Sequence, residues 1–276
     1  MGLVFGTAGI PARSKGHSTD EGLREVAGLG LGCMELEFVR GVHMNQALAR
    51  NVKGLADELG VILSVHAPYW INLNAKEKPK LARSERYILD SARVGFAAGA
   101  RDIVFHPAFY TGDDPPAVHE RVRESIKRIQ ETLKSEKVDV ILRPETTGKP
   151  TQYGSLEELV LLSSELPGVL PCVDFAHLHA RTGGAINTEK EFHEVLDVIE
   201  KDLGPSALQR MHIHMSGIVY TAKGEREHIP LEESDMNWRG VLRVLHERGV
   251  SGLVISESPI LEDDALLMKG FYEGLS

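Results

Sequence analysis

Short apolar runs recur along the whole chain, at 3–5, 33–36, 61–65, 103–105, 138–142, 169–173, 211–213 and 253–255. Each has the length of a buried strand. The stretches between them follow a different period. Leu55 and Leu59, and later Val118, Val122, Ile126, Ile129 and Leu133, recur at three- and four-residue steps, the spacing of one helical face. Several of these helical stretches end in glycine just before the next strand, at Gly60, Gly99 and Gly249. Eight β-then-α units in about 250 residues predict a (β/α)8 barrel. The chain has no linker or low-complexity stretch, so the barrel is expected as a single domain over 1–276. A doubly wound open sheet fits less well, because no Gly-x-Gly-x-x-Gly follows the first strand.

In such a barrel the working face lies at the carboxyl ends of the strands. There the polar residues are unusual. The third run ends at His66, the fourth at His106, the fifth at Glu145 and the sixth at Asp174. The seventh carries His212 and His214, and the eighth ends at Glu257. A single histidine after a strand is ordinarily a hydrogen-bonded core or surface group, and a single acid is ordinarily a helix cap. Six at corresponding positions on six consecutive strands are another matter. Their carboxylates would repel one another at a barrel mouth unless cations lay between them. Imidazole and carboxylate together suit zinc or manganese, in a site with more than one ion. His177 stands three residues past Asp174 and reaches the same mouth, while His179 and His214 are expected behind the ligands as supporting groups. His119, His193 and His246 fall in charged helical stretches and are expected on solvated faces.

Composition narrows the class. With 42% hydrophobic and 26% charged residues the chain is globular, and no apolar run approaches the ~20 residues that span a bilayer. Cys33 and Cys172 form no framework and no Cys-x-x-Cys site, and the start lacks a signal-peptide core, so a cytoplasmic monomer is expected. The net charge of −9 argues against nucleic-acid binding by bulk electrostatics. It leaves room for a basic face.

The local contexts carry more than single letters. The segments SVHAPYWINL, VFHPA, PETTGK, VDFAHLHAR, MHIHMSG and SESP resemble the successive motifs of the endonuclease IV family, and PETTGKPTQYGSLEEL resembles its archaeal members. That family consists of apurinic/apyrimidinic endonucleases on a barrel of the xylose isomerase-like group, with three zinc ions. The resemblance implies that His66 and His106 bind one zinc and that Glu145 bridges it to a second. Asp174, His212 and Glu257 would complete the second, and His177 would hold a third. The family's Asp-x-His pair for the third ion is absent. The loop after strand seven reads KGEREHIP, and His228 with Glu225 or Glu227 stands in its place. The implied reaction is cleavage of the phosphodiester 5′ of an abasic site in double-stranded DNA. Glu145 would position the attacking hydroxide, and Zn2+ (or Mn2+) would stabilise the attacking and leaving oxygens. Sugar isomerases and epimerases that use one divalent ion share this barrel and form the alternative; a barrel that binds metal and DNA without cutting is a third reading.

The expected rim loops hold Arg13, Lys15, Arg40, Lys76, Lys78, Lys80, Lys149, Arg181, Lys223 and Arg226, while many acids fall in helices. Of these, Arg40, Lys149, Arg181 and Arg226 are the candidate DNA contacts, Arg40 as counterpart of the family's DNA-inserting arginine. Tyr69 matches the family's tyrosine that fills the gap left by the extruded nucleotide. Trp70 is expected to pack on the barrel top.

Overall fold

The computed structural model describes residues 2–275. Eight parallel strands form one sheet: Leu3–Ala8, Cys33–Glu37, Ile62–His66, Asp102–Phe105, Ile141–Pro144, Cys172–Asp174, Met211–Met215 and Gly252–Ser256. Numbered along the chain, they lie side by side in the order five, four, three, two, one, eight, seven, six. Strands five and six close the ring through bridges at Leu142–Val169 and Glu145–Cys172. The expected (β/α)8 barrel is the observed fold, in one domain.

Two predicted boundaries move for a local reason. Val138 reads as strand, but its N–H donates to the Leu133 carbonyl at 2.9 Å and finishes the preceding helix, so the fifth strand starts only at Ile141. The sixth ladder is likewise confined to Cys172–Asp174, with Val169 reduced to a bridge. The helix Pro115–Ser135 buries Val118, Val122, Ile126, Ile129 and Leu133, the face its period predicts. Among the described residues no helix is long and apolar enough to cross a membrane.

Two additions stand at the carboxyl end of the barrel. After the seventh strand the chain makes an antiparallel hairpin of Gly217–Thr221 and Gly224–Ile229. After the fourth and fifth strands, Ala108–Phe109 pairs with Gln152–Tyr153.

Candidate metal centre

Glu145 follows directly on the fifth strand, where its N–H donates to the Phe105 carbonyl at 3.0 Å. That bond aims the side chain into the mouth, where it is fully buried. Four imidazoles face it. His66 Nε2 lies 3.1 Å and His106 Nε2 3.0 Å from Oε2. His177 Nδ1 lies 3.0 Å and His214 Nδ1 3.5 Å from Oε1. One carboxylate therefore serves two sides of the site.

Three of four groups of ligand atoms abut there: His66, His106 and Glu145; Glu145, Asp174, His214 and Glu257; Asp174, His177 and His228; the fourth, Cys172, His212 and His214, shares only His214 with them. Within each group the atoms lie inside 4.8 Å of one another. Ligand atoms around a single zinc stand roughly 3.3–3.5 Å apart, given bond lengths near 2.1 Å and a tetrahedral angle. The middle group carries the sharper sign. Glu145 Oε1, Asp174 Oδ2 and His214 Nδ1 are all buried and none has a hydrogen-bond partner. Buried polar atoms are ordinarily satisfied, and three unsatisfied ones converging on one point fit a divalent cation between them. Asp174 performs both roles weighed for it: Oδ1 caps the next helix by accepting from His177 N–H at 2.6 Å, and Oδ2 faces the site.

That cap sets His177 in the first helical turn over the rim. Its Nε2 meets His228 Nε2 at 3.3 Å and Glu225 Oε2 at 3.6 Å. Two imidazole nitrogens at that distance must share a proton or a cation. Glu225 and His228 are three residues apart and would face opposite ways in a regular strand. The hairpin register shifts between Val219 and Tyr220, leaving Arg226 as the extra residue, and the bulge turns Glu225 and His228 to one side. Glu227 is exposed beside Arg226, so Glu225 is the residue at the site.

Electrostatics agree with a cation-seeking cluster. Burial pushes the Asp174 carboxyl up to about 6 and the Glu37 carboxyl up to about 8. Burial alone would lower His66, but its bond to Glu145 and the nearby Glu37 hold it at about 10. Glu257 is buried too, yet the His214 charge pulls it down to about 2.

A family model described as xylose isomerase-like TIM barrel matches residues 23–270. The chain belongs to the xylose isomerase-like TIM barrel family. An uncharacterized protein of Methanocaldococcus jannaschii is 43% identical over 99% of this chain and 98% of its own length. A probable endonuclease 4 of Shouchella clausii is 30% identical, over 59% of this chain and only 55% of that relative. In structure, endonuclease IV from Thermus thermophilus superposes with a TM-score of 0.75 at 20% identity, covering 99% of this chain and all 100% of that one. A D-tagatose 3-epimerase-like protein superposes almost as well, at 0.74 and 18% identity over 99% of this chain and 96% of that one. Both likenesses speak for the xylose isomerase-like fold, and the buried His, Glu and Asp groups are consistent with divalent metal ions in it.

Within this xylose isomerase-like barrel the sequence expectations divide. His66, His106, Glu145, Asp174, His177, His228, Glu225 and Glu257 come together at the mouth. His212 and His214 exchange places. Strand register sets His214 level with Asp174 at the rim and His212 level with Cys172 below it, so His214 faces Glu257 at 3.2 Å while His212 donates downward to Glu35. His179 stands away from the mouth on Asp235, at 3.0 Å. His119 is not on a solvated face; it bonds Tyr153 and Glu165. Glu35 and Glu37 lie outside the expected set, although Glu35 sits inside the second strand and Glu37 ends it. The alternation Met34-Glu35-Leu36-Glu37 was the available signal, since charges two apart on a buried strand both point into a barrel.

The proposed DNA face is also redistributed. Arg181 is half-buried, and its guanidinium donates to the carbonyls of Thr147 and Lys149, fixing the loop after strand five instead of presenting a free cation. Lys76 pairs with Asp113, and Arg13 with Glu262 and Asp263. Arg40 and Arg226 are exposed and Lys149 is half-buried. Tyr69 stands at the rim, its ring 5.3 Å from His66 and 5.8 Å from His106. Trp70, expected to pack, is 67% exposed.

Proposed function

We propose that the protein is a zinc-dependent endonuclease that cleaves double-stranded DNA on the 5′ side of abasic sites. The single observation that supports this most is the presence of three abutting ligand groups, the third built from the Asp174–His177–His228 corner with Glu225. A one-ion sugar isomerase or epimerase needs no such corner. Divalent ions held there would supply Lewis-acid stabilisation of phosphate oxygens and of an attacking water. The chain's own residues do the rest. Glu145 turns Oε2 to His66 and His106 and Oε1 to His214, so it ties the His66–His106 group to the His214 group. Tyr69 and Trp70 offer exposed aromatic surface against the space of a missing base. Arg40, Lys149 and Arg226 contact phosphates, with Arg181 supporting Lys149 from below.

The decisive experiment incubates the zinc-reconstituted chain with a labelled duplex bearing one abasic site. Cleavage 5′ of the lesion, leaving a 3′-hydroxyl, is expected with two or three zinc equivalents bound. One labile ion, intact DNA and turnover of a ketose would instead establish the epimerase reading. Metal and duplex binding without cutting would leave a silent binder.

A further inference from the structure

Below the rim the barrel interior holds one carboxylate faced by three donors. Glu35 on the second strand is fully buried. Its Oε2 accepts from Ser64 Oγ at 2.7 Å and stands 2.9 Å from His212 Nε2. Its Oε1 lies 3.0 Å from His214 Nε2; both atoms are buried, and neither is engaged in a hydrogen bond as the side chains stand. Two buried polar atoms of opposite kind at that distance are each other's complement. His212 and His214 point the same way because they are two apart on one strand. They therefore meet the two oxygens of the same carboxylate.

We propose that Glu35 is the positioning residue of the metal centre: it holds the Nε2–H of His214 and so turns the Nδ1 lone pair toward Glu145, Asp174 and Glu257. A neutral imidazole has one N–H and one lone pair, and the hydrogen bond on one nitrogen decides which nitrogen is left to bind. His214 Nδ1 lies 3.2 Å from Glu257 Oε1 and 3.5 Å from Glu145 Oε1, on the side where the unsatisfied ligand atoms gather. His212 and Ser64 occupy the other oxygen and keep Glu35 from rotating away. Histidine 212 thereby gains a role without being a ligand.

This inference rests on reading Glu145, Asp174, His214 and Glu257 as a metal site, and not on the reaction performed there. In the zinc-loaded wild-type chain, long-range proton–nitrogen NMR should find His214 protonated at Nε2 and bound through Nδ1. A proton on Nδ1 overturns the proposal. Chelator competition then compares wild type with Glu35→Gln and Glu35→Asp, each shown to fold by circular dichroism. Glu35→Gln should bind one zinc equivalent roughly 10–100-fold more weakly, the usual cost of losing such a partner, and Glu35→Asp should recover part of it. Unchanged affinity in a folded Glu35→Gln also overturns the proposal. Should that variant not fold, the wild-type spectrum alone decides. A wild type that binds zinc but cuts no abasic DNA refutes the nuclease and leaves Glu35 in place; one that binds no divalent ion refutes both.

Discussion

At the residue scale the site turns on which atom each side chain offers. Glu145 presents both oxygens, so Glu145→Gln removes the charge that four imidazoles face while keeping the volume. Cleavage by this variant should fall by roughly two orders of magnitude or more, and metal content should drop with it. Near-wild-type cutting would end the proposed mechanism. The paired histidines of strand seven give a sharper contrast. His214→Ala should lose one metal equivalent, whereas His212→Ala should keep all of them, with one held somewhat more weakly and stability lower by roughly 0.5–3 kcal/mol for a buried hydrogen-bonded group. Elemental analysis of the two purified variants side by side decides between them; the reverse order would restore His212 as the ligand.

At the element scale the hairpin after strand seven delivers the third group. Gly224 opens its second strand at φ +89°, and a Cβ there would stand 2.2 Å from the Gly148 carbonyl. The Glu225 N–H donates to that same carbonyl at 2.9 Å. The loop after strand five and the hairpin thus fit only through two glycines in contact. Gly224→Ala should cost about 1–3 kcal/mol and push the hairpin off the rim. Zinc bound by His177 and His228 should be lost as in His228→Ala, with the other equivalents retained. Equal metal content in Gly224→Ala, His228→Ala and wild type would show that the hairpin holds no ion.

For the whole molecule the cluster predicts an unusual response to pH. Asp174, Glu37 and His66 are all held above their ordinary values, at about 6, 8 and 10. The folded state therefore binds more protons than the unfolded chain across that range, and stability of the metal-free protein should fall as pH rises from about 5 to 10. Glu257, held down at about 2, acts in the opposite sense only below its ordinary carboxylate value. Metal binding needs the deprotonated ligands, so zinc should flatten or reverse the decline. Thermal melts at graded pH, with and without zinc, measure both; a metal-free curve that rises over this interval refutes the assignment. Discrimination by the assembled rim is tested at Tyr69. Tyr69→Ala should bind abasic duplex more weakly by about 1–3 kcal/mol with metal content unchanged, and equal binding by variant and wild type would leave the ring a packing group.

The period of apolar residues was enough to determine eight strands, their helices and a barrel, because burying a parallel strand on both faces demands a continuous apolar run. Position at a strand's end was enough to assemble His66, His106, Glu145, Asp174 and Glu257, since every strand end in a barrel opens on the same rim. Tertiary structure alone decided the remainder. Whether His212 or His214 stands at the rim depends on where strand seven slides against strands six and eight, and two inward residues look alike in sequence. Whether Glu225 or Glu227 joins His228 depends on one bulged residue, which reverses the alternation that a sequence reading assumes. Whether a rim cation meets solvent or a backbone carbonyl, as at Arg181, depends on a neighbouring loop 32 or more residues away. Glu35 needed all three, because its partners come from strands three and seven and meet it only once the ring has closed.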